Sequence, residues 1–143
     1  MIERTPHSRI LCAIDTPDLE VAKRLAGDLA GAVGGIKLGK EFFTAHGPAG
    51  VTALEALGQR VFLDLKYHDI PNTVSGAVRA AAALDCFMLT VHASGGEAML
   101  RAAVSAAAEA GGDARPLVMA VTVLTSLSGG DLDAVGQIGP VAD

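Results

Sequence analysis

The chain has no tryptophan, one tyrosine and four phenylalanines in 143 residues. Aromatics at 3% leave little material for a base-stacking platform. Positive charge is also scarce. Eleven lysines and arginines stand against 16 acids, for a net charge of −5 and a pI near 5.2, and no basic block occurs. Together these features argue against a nucleic-acid surface. There are two cysteines, Cys12 and Cys86, each inside an apolar run. They read as reduced core residues, because a disulfide framework or a zinc site needs more ligands at better spacing. No apolar run approaches the ~18 residues of a membrane span. The opening "MIERTPHSRI" has no apolar stretch of the kind a secretory signal carries. The expected compartment is the cytoplasm.

Half of the residues are apolar, enough for one domain with a real core over 1–143. Short apolar, β-branched runs recur: "RILCAID", "GGIKLG", "RVFLDLK", "CFMLTVH" and "PLVMAVTVL", starting at Arg9, Gly34, Arg60, Cys86 and Pro116. Each is bounded by turn residues and is too short for a helix, so each is predicted to be a buried strand. The starts lie about 25 to 30 residues apart, the length of one βα unit.

Helices are predicted between them. The first is capped by Thr16 or Asp18 and closes at Gly31. The second starts at Pro48 and stops at Gly58, and the third starts at Pro71, where proline is tolerated in a first turn. The fourth is alanine-rich and closes at Gly111 and Gly112. The tail "SLSGGDLDAVGQIGPVAD" offers no obvious helix to cover the fifth strand. This alternation means an α/β fold with a parallel sheet and five βα units. A (β/α)₈ barrel typically runs ~200–250 residues. An open doubly wound sheet closes out at five strands, so length alone does not choose between them.

Parallel α/β folds gather functional side chains at the C-terminal ends of strands. Strand 1 ends at Asp15, strand 2 carries Lys37, strand 4 ends at His92, and strand 5 is expected to end at Thr125 and Ser126. Strand 3 carries Asp64 and Lys66, two apart and so on one face. Taken singly, Asp15 reads equally as a helix cap, Lys37 as an exposed lysine and His92 as a satisfied core histidine. The Asp64–Lys66 pair is harder to treat as structural, because charge on the inward face of a buried strand needs compensation. A carboxylate held against an anionic substrate raises the energy of that anion. A lysine ammonium stabilises a developing carbanion and can then protonate it.

The stretch "DLKYHDIPNTV" contains Asp-x-Lys-x-x-Asp-Ile-Pro-x-Thr and closely resembles the signature of the orotidine 5′-phosphate decarboxylases. "CAIDTPD", "GGIKLGKEFF", "LTVHASGG" and "AVTVLTSL" agree in order along the chain. The resemblance implies a (β/α)₈ TIM barrel of the ribulose-phosphate-binding type, here about five βα units of it. It implies cofactor-independent decarboxylation of orotidine 5′-phosphate to uridine 5′-phosphate in pyrimidine biosynthesis, with no metal. Lys66 resembles the proton donor and Asp64 the carboxylate pressed against the substrate carboxylate. Lys37 and Asp69 would complete a Lys-Asp-Lys-Asp array. Asp69, Ile70 and Thr73 would act across a twofold homodimer interface. Asp15 and Lys37 resemble ribose-hydroxyl ligands, and Thr125 a contact to the pyrimidine ring. His92 matches a position near the site and His68 a variable one, neither with a chemical role.

The family's phosphate grip follows the seventh and eighth strands, so the sequence reads as an N-terminal portion, with little activity alone and with strands 1 and 5 as open edges. Three alternatives stand beside this reading. One is a metal-dependent hexulose- or gulonate-phosphate enzyme of the same suprafamily. Another is a phosphosugar epimerase built on His92, His68 and Asp64. The third is a non-catalytic barrel fragment.

Overall fold

The computed structural model describes residues 6–137. Five parallel strands form one sheet: β1 (Leu11–Ile14), β2 (Gly35–Gly39), β3 (Val61–Tyr67), β4 (Met88–His92) and β5 (Leu117–Val121). Their order in the sheet is their order in the chain. A doubly wound sheet reverses direction at a switch point, and this one does not. Successive right-handed crossovers in one direction put every helix on the same side of the sheet, which is the winding of a (β/α) barrel.

The strand pattern has a period of two. Ile14, Ile36, Leu38, Leu63, Leu89 and Val91 are buried in one apolar cluster with the helices. The opposite row runs Ala13, Lys37, Phe62, Met88, Leu117 across all five strands. Leu117 and Met119 on that face are at least half exposed. Lys37, and by alternation Asp64 on β3 and Thr90 on β4, therefore lie on the face away from the helices, beside apolar neighbours such as Phe62 and Met88.

Helices α1 (Leu19–Asp28), α3 (Pro71–Ala82) and α4 (Gly96–Gly111) fall where the sequence predicts them. Asp18 caps α1: its Oδ1 accepts the N–H groups of Glu20 and Val21 at 2.9 Å. Buried alanines (Ala22, Ala26, Ala103, Ala106 and Ala107) let α1 and α4 lie close to the sheet. Gly35 is needed for a similar reason. A methyl group there would sit 2.7 Å from the Arg60 carbonyl oxygen.

Four expectations are corrected. Helix α2 spans Lys40–Glu55 instead of beginning at Pro48. Gly47 takes φ 57° and ψ −154°, so two helical segments meet at a kink with Pro48 opening the second. The first segment starts straight from β2 at Gly39 with no side-chain cap, which removes the usual start signal. Strand β5 stops at Val121, short of Thr125 and Ser126. The tail does form a helix, α5 (Gly129–Ala134), started by a capping box in which Ser128 and Asp131 bond each other's backbone N–H. Cys86 is buried as expected, but Cys12 is only half-buried. The end of the tail from residue 138, and residues 1–5, lie outside the described residues.

One packing defect is visible among the described residues. Glu55 near the end of α2 has a buried Oε1 without a hydrogen-bond partner. Burial, and then the charge of Asp85, push its carboxyl above the ordinary 4.5. An acid whose folded pKa is raised contributes no penalty below its unfolded value, and stability is lost as pH climbs through the folded value. Glu55→Gln therefore raises the melting temperature at pH 7 by a few degrees. The gain disappears below about pH 4, and thermal melts at the two pH values check this.

Candidate active site

The site is built around the C-terminal half of β3. Pairing with β4 is regular at Leu63, then shifts register before Tyr67. Within that bulge Lys66 adopts φ 52°, the left-handed region that lysine rarely occupies. Its backbone N–H donates to Thr90 Oγ1 on β4 at 2.9 Å. The bulge turns the lysine side chain back onto the preceding carboxylate.

Asp64 is the hub. Its Oδ1 accepts from Lys66 Nζ at 2.8 Å and from the Thr90 hydroxyl at 3.0 Å. Its Oδ2 lies 3.4 Å from Lys37 Nζ on β2. The Asp64 side chain is 13% exposed, against 25% and 29% for Lys66 and Lys37. Burial pushes the carboxyl up. The hydrogen bonds from Lys66 and Thr90, with the charges of Lys66 and Lys37, outweigh it and hold Asp64 below the ordinary 3.8. At neutral pH the carboxylate is an anion between two cations.

A cleft of about 350 Å³ opens beside it, at the C-terminal mouth of the strands. Asp15, Lys37, Lys40, Glu41, Asp64 and Lys66 supply its charge, and Ile14, Phe42 and Leu124 its apolar wall. This volume is of small-molecule size. Three ammonium groups and three carboxylates interleave around one opening. Lys40 and Glu41 carry no sequence signal of their own, because the helical segment they open starts straight from β2 without a side-chain cap. Thr90 was missed too, since a threonine in a β-branched run reads as an ordinary strand former.

Asp15, Lys37, Asp64 and Lys66 are thus brought together, while other sequence candidates lie elsewhere on this chain. Asp69 is exposed, with Oδ1 accepting the Ile70 N–H at 2.7 Å. Ile70 is 66% exposed, and Thr73 is exposed in the first turn of α3. Thr125 is exposed in the turn after β5, next to Leu124 of the cleft wall. The His68 and His92 rings lie 5.5 Å apart, tilted by 49°. Burial, then His68, Lys40 and Lys66, push His92 below its ordinary value, so it is neutral at pH 7.

The family model described as "Orotidine 5'-phosphate decarboxylase / HUMPS family" matches residues 8–140. The chain belongs to this family. Orotidine 5′-phosphate decarboxylase of Paramagnetospirillum magneticum is 51% identical over 137 residues, which is 94% of this chain and 58% of that protein. The crystal structure of orotidine 5′-phosphate decarboxylase from Lactobacillus acidophilus superposes with a TM-score of 0.81 at 35% identity, covering 93% of this chain and 61% of that one. An uncharacterized conserved protein from Geobacillus kaustophilus gives 0.85 at 38% identity, covering 92% and 62%. The chain therefore spans a little under 60% of the length of the curated relatives it matches. Its five βα units are those of the family's TIM barrel, in the same order.

The charge arrangement makes a stability prediction. Asp64→Asn leaves Lys37 and Lys66 facing each other without an anion, and the loss at pH 7 is about 1–3 kcal/mol. A depressed pKa stabilises above the unfolded value and stops doing so as pH falls through the folded one. The gap between the two proteins therefore narrows from about pH 5 downward. Denaturant titrations across that range measure it.

Proposed function

We propose that this chain carries the carboxylate–lysine centre of an orotidine 5′-phosphate decarboxylase. The observation that carries the reading is Asp64, ionised and gripped by Lys66, Lys37 and Thr90 in the wall of a cleft lined by three lysines and three carboxylates. Family membership supports it, as does the name shared by its relatives.

In this reading the substrate carboxylate lies against Asp64, and repulsion between the two anions favours its departure. The bond from the ring carbon to the carboxylate breaks, carbon dioxide leaves, and the electron pair stays on the ring carbon. The Lys66 ammonium stabilises that charge and passes one proton to the carbon, giving uridine 5′-phosphate. Lys37 holds Asp64 in place and, with Asp15, meets the ribose hydroxyls. Thr125 meets the pyrimidine ring. No metal or organic cofactor takes part, and the work belongs to pyrimidine biosynthesis in the cytoplasm.

Asp69, Ile70 and Thr73 stand outside the cleft of their own chain. They are assigned to the site of a second copy in a twofold homodimer, where Asp69 extends the alternating charge array. Their exposure on one loop and helix start is compatible with that use. Among the described residues no helix is long and apolar enough to cross a membrane.

Decarboxylation of orotidine 5′-phosphate, followed by ultraviolet absorbance, tests the proposal on this chain and on this chain extended with the remaining length of a relative. The extended protein is expected to turn over without added metal. Lys66→Ala lowers kcat by about 10³-fold or more. Asp69→Ala inactivates as well, and mixing the two variants restores activity by assembling one intact site. An extended protein that is inactive, or active only with a divalent metal, overturns the reading. No recovery on mixing rules out the shared site.

A further inference from the structure

Thr90 and Gln59 are the two buried polar residues among those described, and Thr90 is 2% exposed. It stands in β4 between Leu89 and Val91, where a valine would fill the same space and favour the strand as well. The fold by itself gives no reason for a hydroxyl. Two hydrogen bonds do. Oγ1 accepts the Lys66 backbone N–H at 2.9 Å and donates to Asp64 Oδ1 at 3.0 Å. Lys66 Nζ reaches that same carboxylate oxygen at 2.8 Å.

The contacts close a ring. The hydroxyl holds one end of Lys66 by its backbone, Asp64 holds the other by its ammonium, and the hydroxyl joins the two holders. The register shift between Leu63 and Tyr67 takes the Lys66 amide out of the regular ladder, so the hydroxyl is its partner at the point where the backbone is left-handed.

We propose that Thr90 is a positioning residue: its hydroxyl fixes the backbone of Lys66 and aims the Asp64 carboxylate at the Lys66 ammonium before any substrate arrives. This rests on the reading of Asp64 and Lys66 as the reacting pair. Groups that react must be held to within a fraction of an ångström, and a rigid hydrogen-bonded support is how a strand end achieves this.

The test uses Thr90→Val and Thr90→Ser, with two kinds of readout. The first needs no activity. In carbon-13 NMR titrations of this chain, the Asp64 carboxyl of Thr90→Val titrates at higher pH than in the unsubstituted protein, and Thr90→Ser returns it. The Lys66 amide of the unsubstituted chain exchanges slowly with solvent, and in Thr90→Val its exchange speeds up about tenfold or more. The second readout is decarboxylation by the extended protein, where Thr90→Val lowers kcat about tenfold or more with KM changed by less than about threefold, and serine restores it.

A folded Thr90→Val protein with unaltered Asp64 titration and Lys66 exchange overturns the proposal. So does failure of serine to restore them. If Thr90→Val does not fold, an unprotected Lys66 amide in the native chain is the overturning result. Absence of decarboxylation in the unsubstituted extended protein contradicts the proposed function, and the NMR readouts still decide the role of Thr90.

Discussion

A carboxylate largely withdrawn from water must either take up a proton or be compensated by cations and donors. Asp64 is compensated. One of its oxygens accepts from Lys66 Nζ and the Thr90 hydroxyl, and the other faces Lys37. Each partner comes from a different place in the chain: Lys37 from β2, Lys66 from two residues on, Thr90 from β4. The charge on Asp64 therefore depends on the correct register of three neighbouring strands. A one-residue slip in either pairing would turn the partners to the helical face and strand the anion. The chemistry and the architecture are thus one constraint.

The architecture meets it economically. Alternation sends one row of aliphatic side chains into the helical layer and puts Lys37, Asp64 and Thr90 together on the opposite face. Sequential parallel winding lines up strand ends so that the ends of β1, β2 and β3 share one cleft with Leu124, which follows β5. The bulge near the end of β3 is the local departure from regularity, and it falls at Lys66. Strain of this kind persists where surrounding bonds over-determine it, as the Thr90 and Asp64 contacts do here.

Much of this was legible in the sequence, for identifiable reasons. The apolar runs around Ile36, Leu63 and Leu89 mark strands by composition, and Pro71 and Gly112 mark the ends of helices. Asp64 and Lys66 stood out because charge on a buried strand demands a partner. What escaped lacked a local signal. The first segment of α2 begins without a cap. Strand β5 ends at Val121 although its β-branched pattern runs on to Leu124, because pattern records propensity and the ladder with β4 ends at Val121. The Ser-Gly-Gly-Asp start of α5 looks like a loop until the reciprocal bonds of Ser128 and Asp131 are seen. Thr90 is silent in sequence because its significance lies wholly in what stands across the strand from it. Resemblance assigned Asp69, Ile70 and Thr73 to a site, and on a single chain they are exposed.

The ionisation of Asp64 in the unsubstituted chain tests the central claim most directly. A carbon-13 NMR titration of its carboxyl is predicted to give a midpoint below the ordinary 3.8, the carboxylate persisting as an anion between Lys37 and Lys66. A midpoint at or above that value would contradict the account, because it would mean that the two ammonium groups and the Thr90 hydroxyl do not outweigh the cost of withdrawing the Asp64 carboxylate from water.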